Sequence, residues 1–372
     1  MGRLRVAVDA TSLYGPRTGI GRFTERLLQG LSAHLDAIDP LAYAVTWRGA
    51  EALASLVPSH VTAVERRMAA RPMRALWRRM DAPRIEHWTG PVDVVHGTNY
   101  VVPPARAGRV VSVHDLTFVH HPEFCTRDVL EYPQLIARAL RGGAWVHTIS
   151  EHVRGEVIEL LGADPERVVT VPLGVTPTAG DPARGTALAG GERYVLALGT
   201  IEPRKNLPSL VAALDLLREA HPDLRLVVAG PDGWGVAEYE AAVARSASAE
   251  RITRLGFVAE DDRAALLAGA AAVAVPSHYE GFGLTALEAM AAGRPVVASD
   301  RGSHPEVVAD AGLLVDPTPA ALAEALDRVL GDGALAGALG AAGRARAARY
   351  TWEATAQGIV DLWGRVRLAQ PA

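Results

Sequence analysis

Short apolar runs alternate with longer amphipathic ones along nearly the whole of this 372-residue chain. A strand that reads as one unbroken apolar run has both faces covered, which is the condition of a parallel sheet with crossover helices on either side. The runs predict strands at residues 4–8, 92–95, 110–113, 145–148 and 168–171 in the first half, making one open sheet. A second series follows at 194–198, 224–228, 252–255, 272–275, 296–298 and 313–315, each trailed by a helix. Between the two series, residues 172–191 are rich in Gly, Ala, Asp and Pro, the composition of an interdomain connection. The expected fold class is α/β, with two doubly wound, Rossmann-like domains at residues 1–175 and 176–350.

Composition narrows the function classes. A net charge of −4 gives no reason to expect a nucleic-acid partner, whose ligands carry a basic excess. One cysteine, Cys125, allows neither an internal disulfide nor a cysteine metal cluster, which points to the cell interior. The apolar run before Asp9 is too short for a signal peptide, and no window approaches the roughly 18 apolar residues of a membrane span. Residues 65–88 carry seven arginines, from Arg66 to Arg84, interleaved with Met68, Met73, Leu76, Trp77, Met80 and Trp88. A basic amphipathic stretch of this kind suits peripheral contact with an anionic membrane surface, and equally an ordinary helix with solvated arginines.

The chemistry concentrates in residues 276–299, PSHYEGFGLTALEAMAAGRPVVAS. Glu280 precedes the turn Gly281, Phe282, Gly283, and a helical run begins at Leu284 and contains Glu288. A helix that opens on glycines presents unpaired N–H groups at its positive end, where missing side chains let a ligand approach. Apolar residues surround Glu288 on the helix, so its carboxylate needs donors: a ribose diol supplies them, and so does an internal arginine. Glu280, at the mouth of the turn, is placed to meet a second set of hydroxyls.

Other strand ends carry polar residues toward the edge where open parallel sheets bind ligands. The run Gly199, Thr200, Ile201, Glu202, Pro203, Arg204, Lys205, Asn206 delivers two adjacent cations to a helix start, a diphosphate clamp or plain surface charge. His114 follows the strand at 110–113. Glycines 15, 19 and 21 lie between the first strand and a helix near 23–35, as a phosphate-approaching loop or a tight turn. Ser150 reads as an N-cap, and His120 and His121 as surface loop.

The spacing of Glu280 and Glu288 around GFG and LEAMAAGRPVVAS, with GTIEPRKN upstream, resembles the retaining GT-B glycosyltransferases called family 4. The resemblance covers nearly the whole chain and is strongest from residue 194 to 317. It implies two domains facing each other across a cleft, with residues 351–372 crossing back to the first. The nucleotide-sugar donor is then held mainly by the second domain and a saccharide or lipid-linked acceptor mainly by the first. Arg204 and Lys205 would hold the phosphates, beside Gly199 and Thr200, although many relatives carry another arginine where this chain has Thr200. Glu280 and the backbone of Gly281, Phe282, Gly283 and Leu284 would hold sugar hydroxyls, and Glu288 the ribose. The backbone at Phe257 and Val258 would read the base, Phe257 being alternatively core, while Gly19 and Gly21 would face the donor. His114 would lie near sugar and acceptor, or be a hydrogen-bonded structural histidine.

The expected function is transfer of a hexose, with retention, to an acceptor hydroxyl in bacterial polysaccharide or glycoconjugate synthesis. GDP-mannose is the best candidate donor and UDP-sugars come next. No cofactor or metal is expected, and the site expected is cytoplasmic or peripheral at the inner membrane face. The competing readings are a non-catalytic nucleotide-sugar-binding partner, a sugar-nucleotide epimerase and, from the paired carboxylates, a glycoside hydrolase, which has no need of phosphate-binding elements.

Overall fold

The computed structural model describes residues 2–15, 19–177, 179–191 and 193–370. They form two compact units, one running to Gly174 and taken up again from Thr351, the other spanning Val175–Tyr350.

The first unit is built on a seven-stranded sheet, all of whose pairs are parallel: β1 (Leu4–Asp9), β2 (Ile38–Tyr43), β3 (Thr62–Val64), β4 (Val94–Gly97), β5 (Gly108–Val113), β6 (Trp145–Thr148) and β7 (Val168–Thr170), in the order β3-β2-β1-β4-β5-β6-β7. Two of these strands escape the apolar-run reading. Asp39 and Pro40 interrupt β2, although Pro40 pairs with Val6 inside the sheet, and β3 is only three residues long. The helix Trp352–Leu368 packs on Gly19–Gly30 and on β5, so the chain's last helix belongs to this unit.

The second unit holds a six-stranded parallel sheet, β8 (Tyr194–Leu198), β9 (Arg225–Ala229), β10 (Ile252–Gly256), β11 (Ala272–Val275), β12 (Val296–Ser299) and β13 (Leu313–Val315), in the order β10-β9-β8-β11-β12-β13. All six were expected from short runs rich in apolar residues, although Thr253, Arg254 and Gly256 interrupt β10, whose residues are all half-buried. The stretch 172–191 is more than a connection: Asp181 caps a helix, Pro182–Ala189, that packs on Glu260–Gly269.

In both sheets the strand order reverses once, between β1 and β4 in the first and between β8 and β11 in the second. Crossovers leave opposite faces at such a point, and the loops beyond the strand ends part into a crevice. The polar residues singled out in the sequence follow these strands.

The basic stretch 65–88 is not one helix. It contains the helices Ala70–Trp77 and Glu86–Thr89, and Met68, Trp77 and Ile85 are buried in the first unit's core, with Met73 and Trp88 packed against it. Only Leu76 and Met80 remain exposed among its large apolar side chains. Among the described residues no helix is long and apolar enough to cross a membrane.

Candidate functional site

At the β8/β11 reversal of the second unit, two loops meet. After β8 the chain forms a short 3-10 turn, Pro203–Lys205, and then Asn206 in left-handed conformation, whose Nδ2 donates to the carbonyls of Pro276 and Pro317 at 3.1 and 2.8 Å. Those bonds tie the cation-bearing turn to the loops after β11 and β13. The loop after β11 brings in Ser277, Glu280 and the glycine turn ahead of the helix Leu284–Ala291.

Glu280 is buried and bound at both oxygens. Its Oε1 accepts from Lys205 Nζ at 2.5 Å and from Ser277 Oγ at 2.8 Å, while Oε2 faces Arg204 at 2.9 Å. Arg204 also donates to Tyr279 O at 2.7 Å and to Glu202 Oε1 at 2.7 Å. Burial works to raise the Glu280 pKa, but Arg204 and Lys205 outweigh it and hold the carboxyl far below its ordinary range. The arrangement is therefore an ionised cluster of two cations and two carboxylates.

The glycine turn is shaped by contacts that admit no side chain. Gly283 has φ +86°, and a Cβ on it would stand 2.7 Å from His304 Cδ2 and 3.0 Å from Nε2. Gly302, at φ +60°, lies against the backbone of Glu280, where a Cβ would collide with its O and N. Ser303 completes this wall, its N and Oγ donating to Glu280 O at 2.9 and 3.1 Å. Phe282 is buried, its ring edge-to-face with Tyr350 at 5.7 Å, and Gly281 and Gly283 on either side of it are buried too.

Glu288 is paired with Arg263 of the helix Glu260–Gly269, and Arg263 also approaches Glu260 at 3.7 Å. The internal arginine considered as a partner for this carboxylate is Arg263. Phe257 is 68% exposed, which removes the reading of it as core, and Val258 beside it is half-buried. Gly199 and Thr200 lie at the start of the loop that carries Arg204 and Lys205.

In the first unit, His114 is buried at the end of β5. Its Nε2 donates to Thr98 O at 2.7 Å, and its ring meets Phe23 and Tyr100 edge-on at 5.5 and 5.8 Å. Burial lowers its pKa, so the ring is neutral with its lone pair on Nδ1. The hydrogen-bonded histidine weighed from the sequence is thus present. Gly19 and Gly21 are not loop residues but the first turn of the helix Gly19–Gly30, while Pro16, Arg17 and Thr18 lie outside the described residues.

The second unit therefore assembles Arg204, Lys205, Glu280 and the glycine turn into one cluster. Sequence reading missed its supports: Ser277, Glu202, Asn206, Arg263 and His304. Ser277 and Glu202 stand three and two residues ahead of Glu280 and Arg204, a spacing that could have signalled them. Among the described residues no group of three or more His, Cys, Asp or Glu is placed to hold a metal ion.

Two Rossmann-like units, each on a parallel sheet whose strand order reverses once, make up the GT-B architecture of glycosyltransferases. The sucrose-phosphate synthase of Thermosynechococcus elongatus shares it, with a TM-score of 0.80 over 99% of this chain and 100% of that one at 21% identity. The family model described as glycosyl transferases group 1 matches residues 183–346. The O-antigen chain mannosyltransferase B of Escherichia coli is 33% identical over 270 residues, covering 70% of this chain and 71% of that protein. A D-inositol 3-phosphate glycosyltransferase of Salinispora arenicola is 37% identical over 233 residues, 56% of this chain and 52% of that one. The chain belongs to the glycosyl transferases group 1 family.

Proposed function

We propose that the protein is a retaining hexosyltransferase that moves mannose from GDP-mannose to a hydroxyl of a saccharide or lipid-linked saccharide in polysaccharide or glycoconjugate synthesis. The observation that carries this reading is the convergence of Arg204 and Lys205 on Glu280 beside the glycine turn. The likeness to an O-antigen chain mannosyltransferase supports the choice of sugar.

The chemical problem is departure of a nucleoside diphosphate from the anomeric carbon. Negative charge on the diphosphate grows toward the transition state, so Arg204, Lys205 and the N–H groups at the start of Leu284–Ala291 stabilise it more there than in the ground state. These groups supply the positive charge without a metal. Glu280 and the backbone of Gly281 and Gly283 hold the sugar hydroxyls. Glu288 takes the ribose, held by its pairing with Arg263, and the backbone at Phe257 and Val258 meets the base. The leaving phosphate deprotonates the acceptor in a same-face reaction, which retains configuration. The roles of His114, Gly19 and Gly21 rest on the family resemblance alone. Membrane contact at the inner face would fall to Leu76 and Met80 with Arg71 and Arg79, because the other apolar residues of that stretch are core.

Thermal unfolding against a panel of nucleotides and nucleotide sugars tests the reading, since a ligand that binds only the folded chain raises its stability. A selective rise with GDP and GDP-mannose is the expected result. A rise with UDP compounds alone replaces the donor, and no rise with any of them removes the proposal.

A further inference from the structure

His304 is fully buried, and its two nitrogens differ. Nδ1 lies 3.0 Å from both the carbonyl O and the Oγ of Ser299; the carbonyl can only accept, and with the Nδ1 proton directed to it Nε2 is a bare lone pair. That Nε2 has no hydrogen-bond partner, although it lies in the wall of the glycine turn, against Gly283. A buried polar atom without a partner destabilises the fold, so its retention beside an ionic cluster calls for a use.

The charged groups around the ring come from the two loops that build the site. Arg204 and Lys205 reach it from the β8 end, and Glu280 from the β11 end, with Glu202 behind Arg204. On its own short helix, Arg346 binds the backbone oxygens of Glu306 and Val307 at the far end. In the free protein Arg204 and Lys205 are already balanced by Glu202 and Glu280. A nucleotide sugar brings two further negative charges to this balanced cluster.

We infer that His304 takes a proton onto Nε2 when the diphosphate of a nucleotide sugar binds, supplying a third cation to the site; the inference rests on the donor reading above. Burial, with repulsion from Lys205 and Arg204, opposes a second proton on the free protein, where the pKa is lowered to about 4 despite the attraction of Glu280. An anion nearby favours the charged imidazole and raises that value. The proton comes from solvent, no covalent bond changes, and the ring acts on the diphosphate through the Gly283 wall. His304 is thus a positioning residue.

Isothermal calorimetry with GDP-mannose and, separately, UDP-glucose tests this in buffers of differing ionisation enthalpy, near pH 5.5 and pH 8. A diphosphate diester has no proton of its own to lose there, so a dependence of the measured enthalpy on buffer counts protons taken up by the protein. Uptake approaching one proton near pH 5.5, absent near pH 8, is expected, with affinity falling as pH rises. In His304→Gln both the uptake and the pH dependence should vanish while binding near pH 8 persists. A merely structural role would weaken binding equally at both pH values. If His304→Gln does not fold, His304→Leu serves in the same comparison, and the wild-type result is decisive by itself. Binding without uptake overturns the inference, as does uptake that persists in either variant. Failure of both nucleotide sugars to bind removes the donor reading, and the inference with it.

Discussion

Lys205 Nζ lies 2.5 Å from Glu280 Oε1, with Arg204 closing on the other carboxylate oxygen. Seventy-five residues separate the two partners in the chain, and the β8/β11 reversal brings them together. The contact fixes the conformation of both loops and holds two cations where a diphosphate is read to bind. Removing Glu280 leaves the half-buried Lys205 without its carboxylate and Arg204 with Glu202 alone, so Glu280→Ala should lower folding stability by about 3 kcal/mol and abolish transfer. Urea unfolding of the variant checks this. Stability within a few tenths of the wild-type value would show that the cluster is not a structural element.

Lys205→Met and Glu288→Ala should separate turnover from binding. The interaction of Lys205 with the diphosphate grows as the bond to the sugar breaks, so its loss should lower kcat by about 100-fold with a smaller change in donor affinity. Loss of the ribose contact at Glu288 should raise the Kd for nucleotide about 10-fold at nearly unchanged turnover of bound donor. Steady-state kinetics and calorimetry on both variants test the assignments, and the reverse pattern would exchange them.

Gly302→Ala should destabilise the protein by about 2 kcal/mol or more, because its left-handed backbone disfavours a side chain and Cβ would collide with the Glu280 backbone. The variant should lose activity even where it remains folded. Gly337→Ala, at a helical glycine with nothing within 4 Å of the added carbon, is the neutral control.

Acid should weaken the first unit through a chain of buried hydrogen bonds. Trp363 Nε1 donates to His96 Nδ1 at 3.2 Å, which directs His96 Nε2 to Ser112 Oγ, Ser112 to His147 Nδ1 at 2.8 Å, and His147 Nε2 to Val171 O. Burial lowers the pKa of His147 to about 3 and that of His96 well below its ordinary value. Each ring must be neutral in the fold, so the unfolded chain binds more protons once pH falls below its ordinary histidine pKa. Stability is then fully present above about pH 6.5 and falls by about 1.4 kcal/mol per pH unit for each such ring as pH drops toward its folded value. His147→Gln should flatten that slope by one proton in denaturant titrations between about pH 7 and pH 5. An unchanged slope would mean that His147 is not held neutral.

The second unit was legible in the sequence because its strands are short runs rich in apolar residues set between helical stretches, and the site residues follow them. In the first unit, Pro40 broke the pattern of β2 while the sheet accommodated it, and tertiary pairing won over local composition. The same holds at the site. Arg204, Lys205, Glu280 and the glycines belong to runs with a local logic, whereas Arg263 meets Glu288 across 25 residues and His304 meets Gly283 through backbone geometry that has no local signature. The basic stretch left two readings open for a related reason: its arginines are visible in sequence, but the burial of Met68 and Trp77 is a property of the folded unit.

The most direct test is to incubate purified protein with GDP-mannose in the absence of acceptor and follow the nucleotide by phosphorus NMR. Wild-type protein should slowly release GDP, and Lys205→Met at equal concentration should not. GDP-mannose that stays intact with folded wild-type protein, or that is cleaved equally fast by Lys205→Met, would contradict the account of Arg204, Lys205 and Glu280 as the donor-cleaving site.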